Sequence, residues 1–69
     1  MNFGTFKEYK GYTGSIEISF EDKYCYGKLL DIPDLVNYEA NNIKDLYKEF
    51  CKAVDDYIEF KNKINKEKN

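Results

Sequence analysis

Three short segments of the chain alternate between apolar and polar residues, which is the pattern of a half-buried β-strand. They run from Tyr9 to Phe20, from Tyr24 to Leu30 and from Leu35 to Glu39. The polar residues 21–23 suit a hairpin turn, and residues 31–34, which include a proline, suit a second turn. The pattern therefore predicts three antiparallel strands joined by short turns.

A helical period replaces this alternation in the C-terminal third of the chain. Asn42 is a suitable N-cap, and Asp45 three residues later can complete a weak capping box. Apolar residues then recur at spacings of three and four, which predicts a helix of about five turns that ends near Lys61. Residues 62–69 are polar, and we expect them to fray. The apolar stripe consists of Ile43, Leu46, Tyr47, Phe50, Val54, Tyr57 and Ile58.

These elements predict an α+β fold, in which a three-stranded antiparallel β-meander packs against one long C-terminal α-helix. The 69 residues form a single domain with a thin core, because so short a chain buries a small share of its surface. One helix covers one face of the sheet, so the opposite face stays partly open to water or to another chain. The residues expected on that second face are Glu17, Ser19, Cys25, Leu29, Leu35 and Asn37.

The charged residues narrow the range of functions. The chain has a formal charge of −2, from 13 acidic residues and 11 lysines, and it contains neither arginine nor histidine. Arginine is the favoured residue for recognition of phosphate and guanine, and histidine is the commonest general base and metal ligand. We therefore expect no catalytic residues, no cofactor, no metal site and no direct binding of nucleic acid.

A carboxylate-dependent nuclease is the alternative from a different functional class, because clustered aspartates could hold its metal ions. Asp22, Asp31 and Asp34 fall in predicted turns, whereas Asp55 and Asp56 fall on the polar side of the predicted helix. Acidic residues do not occupy inward positions of adjacent predicted strands, where a metal site would need them. We therefore favour a structural interpretation of these aspartates.

The cysteines and the apolar runs bear on the cellular compartment. Cys25 and Cys51 lie in apolar-rich segments, and one pair is not the dense framework of a secreted scaffold, so we expect two free thiols. No run of about 18 apolar residues is available to span a membrane. Residues 1–10 also lack the apolar stretch of a signal peptide. We therefore expect a cytoplasmic protein.

Several stretches of the chain carry motifs of a known family. They are residues 9–17 (Tyr-Lys-Gly-Tyr-Thr-Gly-Ser-Ile-Glu), residues 26–28 (Tyr-Gly-Lys), residues 31–36 (Asp-Ile-Pro-Asp-Leu-Val) and residues 50–58 (Phe-Cys-Lys-Ala-Val-Asp-Asp-Tyr-Ile). In this order and at this spacing they resemble the N-terminal domain of HicB-like antitoxins. The resemblance extends over residues 9–61.

The resemblance implies a partial ribonuclease-H-like fold without nuclease activity. In that family the domain binds a small basic toxin of the HicA type, which cleaves messenger RNA, and blocks its active site. An acidic domain without arginine suits such a partner, because complementary charge speeds encounter and selects the partner. The implied function is an antitoxin. The alternative is an inhibitor of a bacterial defence system, encoded by a phage or a mobile element and built on the same fold.

The sequence departs from the family pattern after the predicted helix. Family members usually continue into another strand and a DNA-binding domain, which do not follow here before Asn69, so we do not expect DNA binding. Without that further strand, Ser15–Phe20 would form an exposed edge of the sheet, and exposed edges invite pairing. We expect a homodimer through this edge or the addition of a partner's strand.

The expected partner-binding residues combine strand positions with acidic residues near the turns. The acidic residues Asp31, Asp34 and Glu39 would steer a basic partner, and the other residues would contact it. The full set is Glu17, Ser19, Tyr24, Tyr26, Leu29, Asp31, Asp34 and Glu39.

Overall fold

The chain folds as a four-stranded antiparallel sheet with one long helix, in a computed structural model that describes the backbone of residues 2–67 and the side chains of residues 3–64. The strands lie side by side in chain order. The α+β class is therefore confirmed, whereas the expected number of three strands is wrong. The elements are β1 (Asn2–Thr5), β2 (Ser15–Ser19), β3 (Tyr24–Lys28), β4 (Asn37–Ala40) and α1 (Ile43–Glu67).

Strand β1 is the element that the alternation pattern missed. It pairs antiparallel with β2, from Thr5 opposite Ser15 to Asn2 opposite Glu17, with a bulge after Asn2. The expected open edge at Ser15–Phe20 is therefore covered over its first residues, and the expectation is wrong there. Homodimerisation stays a prediction, but this covered stretch does not offer its interface.

The expected first strand is shorter than predicted because its beginning forms a tight turn. Tyr9 and Tyr12 exchange two backbone hydrogen bonds, of 2.8 and 3.0 Å. Between them, Lys10 and Gly11 have φ angles of 53° and 85°. Positive φ at both central residues is the signature of the type I′ turn in a two-residue hairpin. Within the expected first strand, regular strand structure therefore begins only at Ser15.

Asp55 anchors the turn to α1. The Tyr9 hydroxyl lies 3.2 Å from both carboxylate oxygens of Asp55, and the Lys10 Nζ donates to Oδ1 at 2.8 Å. This hydrogen-bonded ion pair raises the pKa of Lys10 and lowers the pKa of Asp55. The two charged side chains remain about half exposed. The ion pair therefore joins the turn to α1 at the protein surface, and we name it the clasp.

Helix α1 begins where the sequence predicts and ends later. The Asp45 backbone N–H donates to Oδ1 of Asn42 at 2.8 Å, which confirms Asn42 as the N-cap. The Asn42 side-chain amide donates in return to the Asp45 carboxylate at 3.0 Å. The helix continues through residues 62–67, which the sequence assigned to a frayed tail, and residues 68–69 lie outside the described residues.

The hydrophobic core lies between the sheet and α1, which packs over β3 and β4. Phe50 is fully buried, with its ring centroid 5.1 Å from that of Phe6 and 5.8 Å from that of Tyr38. The helical stripe is confirmed at its centre, whereas Ile43 and Tyr47 are exposed. The buried apolar residues are Phe6, Ile16, Cys25, Leu29, Tyr38, Leu46, Phe50, Val54 and Tyr57.

Tyr38 links β4 to β2 across β3. Its hydroxyl donates to the carbonyl oxygen of Ser15 at 2.7 Å, and burial raises the pKa of this hydroxyl far above its ordinary value. A Cβ atom at Gly14 would overlap the Tyr38 hydroxyl and the Phe50 ring, and one at Gly27 would overlap the Ser15 carbonyl. Both glycines are therefore needed for the strands and the Tyr38 ring to approach this closely.

Strand β3 turns a different side to the helix from the one we expected. Cys25 and Leu29 were assigned to the uncovered face, but they are 3% and 4% exposed and lie in the core. On this side of β3, the small residues Cys25 and Gly27 allow α1 and the Tyr38 ring to lie close to the sheet. As predicted, Cys25 and Cys51 are free thiols.

Candidate partner-binding face

The face of the sheet opposite α1 carries a row of three side chains, one from each of β2, β3 and β4. Glu17 lies opposite Tyr26, and Tyr26 lies opposite Glu39. Directly opposed residues of antiparallel strands point to the same face, with Cβ atoms about 5 Å apart. Two carboxylates therefore flank the Tyr26 side chain.

A second pair extends this row toward the turn between β2 and β3. Ser19 lies opposite Tyr24, and the ring centroids of Tyr24 and Tyr26 are 5.4 Å apart at an interplanar angle of 32°. Partial burial, with the nearby carboxylates of Glu39 and Asp22, raises the pKa of the Tyr24 hydroxyl. The hydroxyl therefore stays protonated near neutral pH and is available as a donor.

We name the surface formed by Glu17, Ser19, Tyr24, Tyr26 and Glu39 the open face. It borders a shallow groove of about 590 Å³. Three glutamates line this groove, namely Glu17 and Glu39 from the sheet and Glu49 from α1, together with one lysine. The single ion pair within residues 3–64 involves none of these glutamates. The groove therefore combines an excess of negative charge with accessible aromatic rings.

The remaining expected binding residues do not lie on the open face. Leu29 is buried in the core, so its prediction as a contact residue is wrong. Asp31 is an exposed loop residue with a φ of 58°. Asp34 accepts a hydrogen bond of 2.8 Å from the Tyr57 hydroxyl, which ties its loop to α1. The steering role of these two aspartates stays a prediction.

Sequence reasoning missed two charged residues of the groove. Lys28 has the same strand parity as Tyr24 and Tyr26, so the alternation alone could have placed it beside them. Glu49 carries no such signal, because it reaches the groove only through the way α1 packs on β4. Asn37, which was expected on the uncovered face, does line the groove.

Among the described side chains, those of residues 3–64, no group of three or more from histidine, cysteine, aspartate or glutamate is placed to hold a metal ion. Along the described backbone, residues 2–67, no helix is both long enough and apolar enough to cross a membrane.

No protein-family model, curated protein or solved structure matches this chain. The resemblance to HicB-like antitoxins therefore rests on the sequence motifs, and the open face supplies the physical basis for a function.

Proposed function

We propose that the chain is a non-catalytic protein-binding module that resembles HicB antitoxins and neutralises a small basic toxin of the HicA type, which cleaves messenger RNA. The observation that carries this proposal is the row Glu17–Tyr26–Glu39 on a sheet face that α1 leaves uncovered. The partial ribonuclease-H-like fold and the cytoplasmic location belong to the same proposal. The fold is proposed from the family motifs, and the location is proposed from the sequence.

A basic partner suits the open face for electrostatic reasons. Carboxylates without an ion pair attract lysine and arginine side chains, and the field of several carboxylates in one groove speeds diffusional encounter. Tyr24 and Tyr26 add contact area, and aromatic rings also attract cations placed over their faces. Aromatic anchors between charged groups are typical of the energetically important centre of an interface.

The test is a binding titration between the purified chain and any small basic protein that a neighbouring gene encodes. We expect one-to-one binding that weakens as salt is added, together with loss of the partner's RNA cleavage in the complex. The double substitution Glu17→Gln/Glu39→Gln should weaken binding about tenfold or more, because it removes both carboxylates beside Tyr26.

The matched control is Glu8→Gln/Glu59→Gln, which removes the same charge from exposed positions that do not line the groove. This control should bind within about twofold of the wild-type chain. Equal losses in both double variants would reject the open face as the binding surface. A wild-type chain that binds no small basic protein would reject the antitoxin role, and capture of a defence protein in its place would support the alternative inhibitor role.

A further inference from the structure

The two outer strands of the sheet differ in how well they are protected against pairing. Strand β1 carries a bulge after Asn2, and a bulge disrupts the regular hydrogen-bonding edge. Strand β4 pairs with β3 in unbroken register from Cys25 opposite Ala40 to Lys28 opposite Asn37. Its sequence contains no proline or lysine, and Glu39 is its one charged residue, so few of the features that protect an edge strand from pairing are present.

The hydrogen-bonding pattern between β3 and β4 shows which backbone groups of β4 point away from the sheet. The Leu29 N–H donates to the Val36 carbonyl at 2.9 Å, so this pair belongs to the hydrogen-bonded set. Bonded and non-bonded pairs alternate along an antiparallel ladder, so Tyr38 and Ala40 direct their backbone groups toward β3. The N–H and C=O groups of the alternate residues, Asn37 and Glu39, therefore point away from the sheet.

There is room for another strand beside this edge. The groove of about 590 Å³ includes Asn37, Tyr38 and Glu39, and a second groove of about 250 Å³ lies where Asn37 and Tyr38 meet α1. Successive side chains of an added strand would point alternately to the two faces of the sheet, one toward each groove.

We propose that the β4 edge accepts an extended, lysine- or arginine-bearing segment of a protein partner as a fifth strand. The inference rests on the proposed function and deepens it by naming how the basic partner is held. The two grooves are lined by four acidic residues, and Lys28 and Lys52 offset half of their formal charge. The acidic residues are Glu17, Glu39, Glu49 and Asp56. A second copy of this acidic chain would bring two such sets of carboxylates together, so a basic segment is the occupant that the charges favour.

The probe is a synthetic eight-residue peptide of alternating lysine and valine, titrated into the ¹⁵N-labelled chain. We expect the amide resonances of Asn37 and Glu39 to shift most. A peptide of the same charge, N-methylated at the residues that would bond to β4, should bind about tenfold more weakly, because it cannot donate to the edge. No binding, or equal binding of the two peptides, would overturn the proposal.

Substitutions in the chain give a second readout. Glu39→Pro removes the outward donor together with the carboxylate, and edge strands tolerate proline, whereas Glu39→Ala removes the carboxylate alone. The unmethylated peptide should bind Glu39→Pro several-fold more weakly than Glu39→Ala. Equal affinities of the two folded variants would count against strand addition. If the proline variant unfolds, the comparison of the methylated and unmethylated peptides on the wild-type chain remains the test.

Failure of this inference and failure of the proposed function can be told apart. If the neighbouring basic protein is neutralised and binds Glu39→Pro as tightly as Glu39→Ala, the mode of binding is wrong and the function stands. If the peptide adds to β4 but no basic protein is bound or neutralised, the edge is a binding site and the antitoxin role is wrong.

Discussion

The two faces of the sheet use the same strands in different ways. Toward α1, the side chains of Ile16, Cys25 and Tyr38 are buried with Phe50. Toward solvent, the neighbouring positions carry the glutamates and tyrosines of the open face. One face thus holds the fold together, and the other leaves charged and aromatic groups available. Substitutions should therefore separate stability from binding, according to the face they alter.

The largest expected effect on stability is that of Phe50→Ala. The side chain is fully buried between Phe6 and Tyr38, so its removal leaves a cavity and should lower the free energy of unfolding by about 3–5 kcal/mol. In a domain this small, such a loss approaches the total stability. Urea unfolding measures it. Phe60→Ala is the control, because Phe60 is 52% exposed, and similar losses at both sites would contradict the described core.

Removing a single hydroxyl group from each face compares how much the two faces contribute to stability, with a smaller perturbation than Phe50→Ala. Tyr38→Phe deletes the donor to the Ser15 carbonyl and should lower the free energy of unfolding by about 1–2 kcal/mol. Tyr26→Phe deletes a hydroxyl on the open face and should change the free energy of unfolding by about 0.5 kcal/mol or less. Thermal unfolding of the two variants in parallel checks the difference, and equal shifts would show that Tyr38 makes no special bond.

A substitution on the open face should affect binding more than stability. Tyr26→Thr keeps a residue suited to strands and loses the ring contact with Tyr24, so we expect a loss of about 1 kcal/mol or less in the free energy of unfolding. Binding of the basic partner should weaken about tenfold, as for an aromatic anchor. Unfolding curves and titrations on the same sample measure both. A large loss of stability with unchanged affinity would reverse the roles assigned to the faces.

The smallest expected effect is the pH dependence of the clasp between Lys10 and Asp55. Because the pKa of Asp55 is lowered in the folded chain, its contribution is fully present above the unfolded value of about 3.9 and is lost as pH falls through the folded value. The difference in Tm between the wild-type chain and Asp55→Asn should therefore shrink as pH falls below about 4. Asp56→Asn, at the neighbouring exposed position, is the control, and a difference that grows with acid would exclude the clasp.

The sequence allowed much of the fold to be predicted wherever the signal was local. The helix start depends on contacts between Asn42 and Asp45, three residues apart, and its apolar stripe depends on period alone. Alternation correctly grouped Glu17 with Ser19 on the uncovered face, but that face was expected to include Cys25 of the second strand, so the pairing of Glu17 with Tyr26 was not anticipated. The inclusion of Leu29 among the binding residues was wrong, because its face of β3 is the one that α1 covers.

Other features of the fold depend on contacts between residues that lie far apart in the chain. Residues 2–5 show no alternation, and they form a strand because β2 offers an edge for their backbone groups. Both sides of β3 carry apolar groups, so the pattern could not tell which side α1 would cover. In the folded chain α1 covers the side of Cys25 and Gly27, because these small residues let the Tyr38 ring and the helix approach the sheet. Period and capping were thus set by the sequence itself, whereas the choice of covered face and the extra strand required the whole chain to fold.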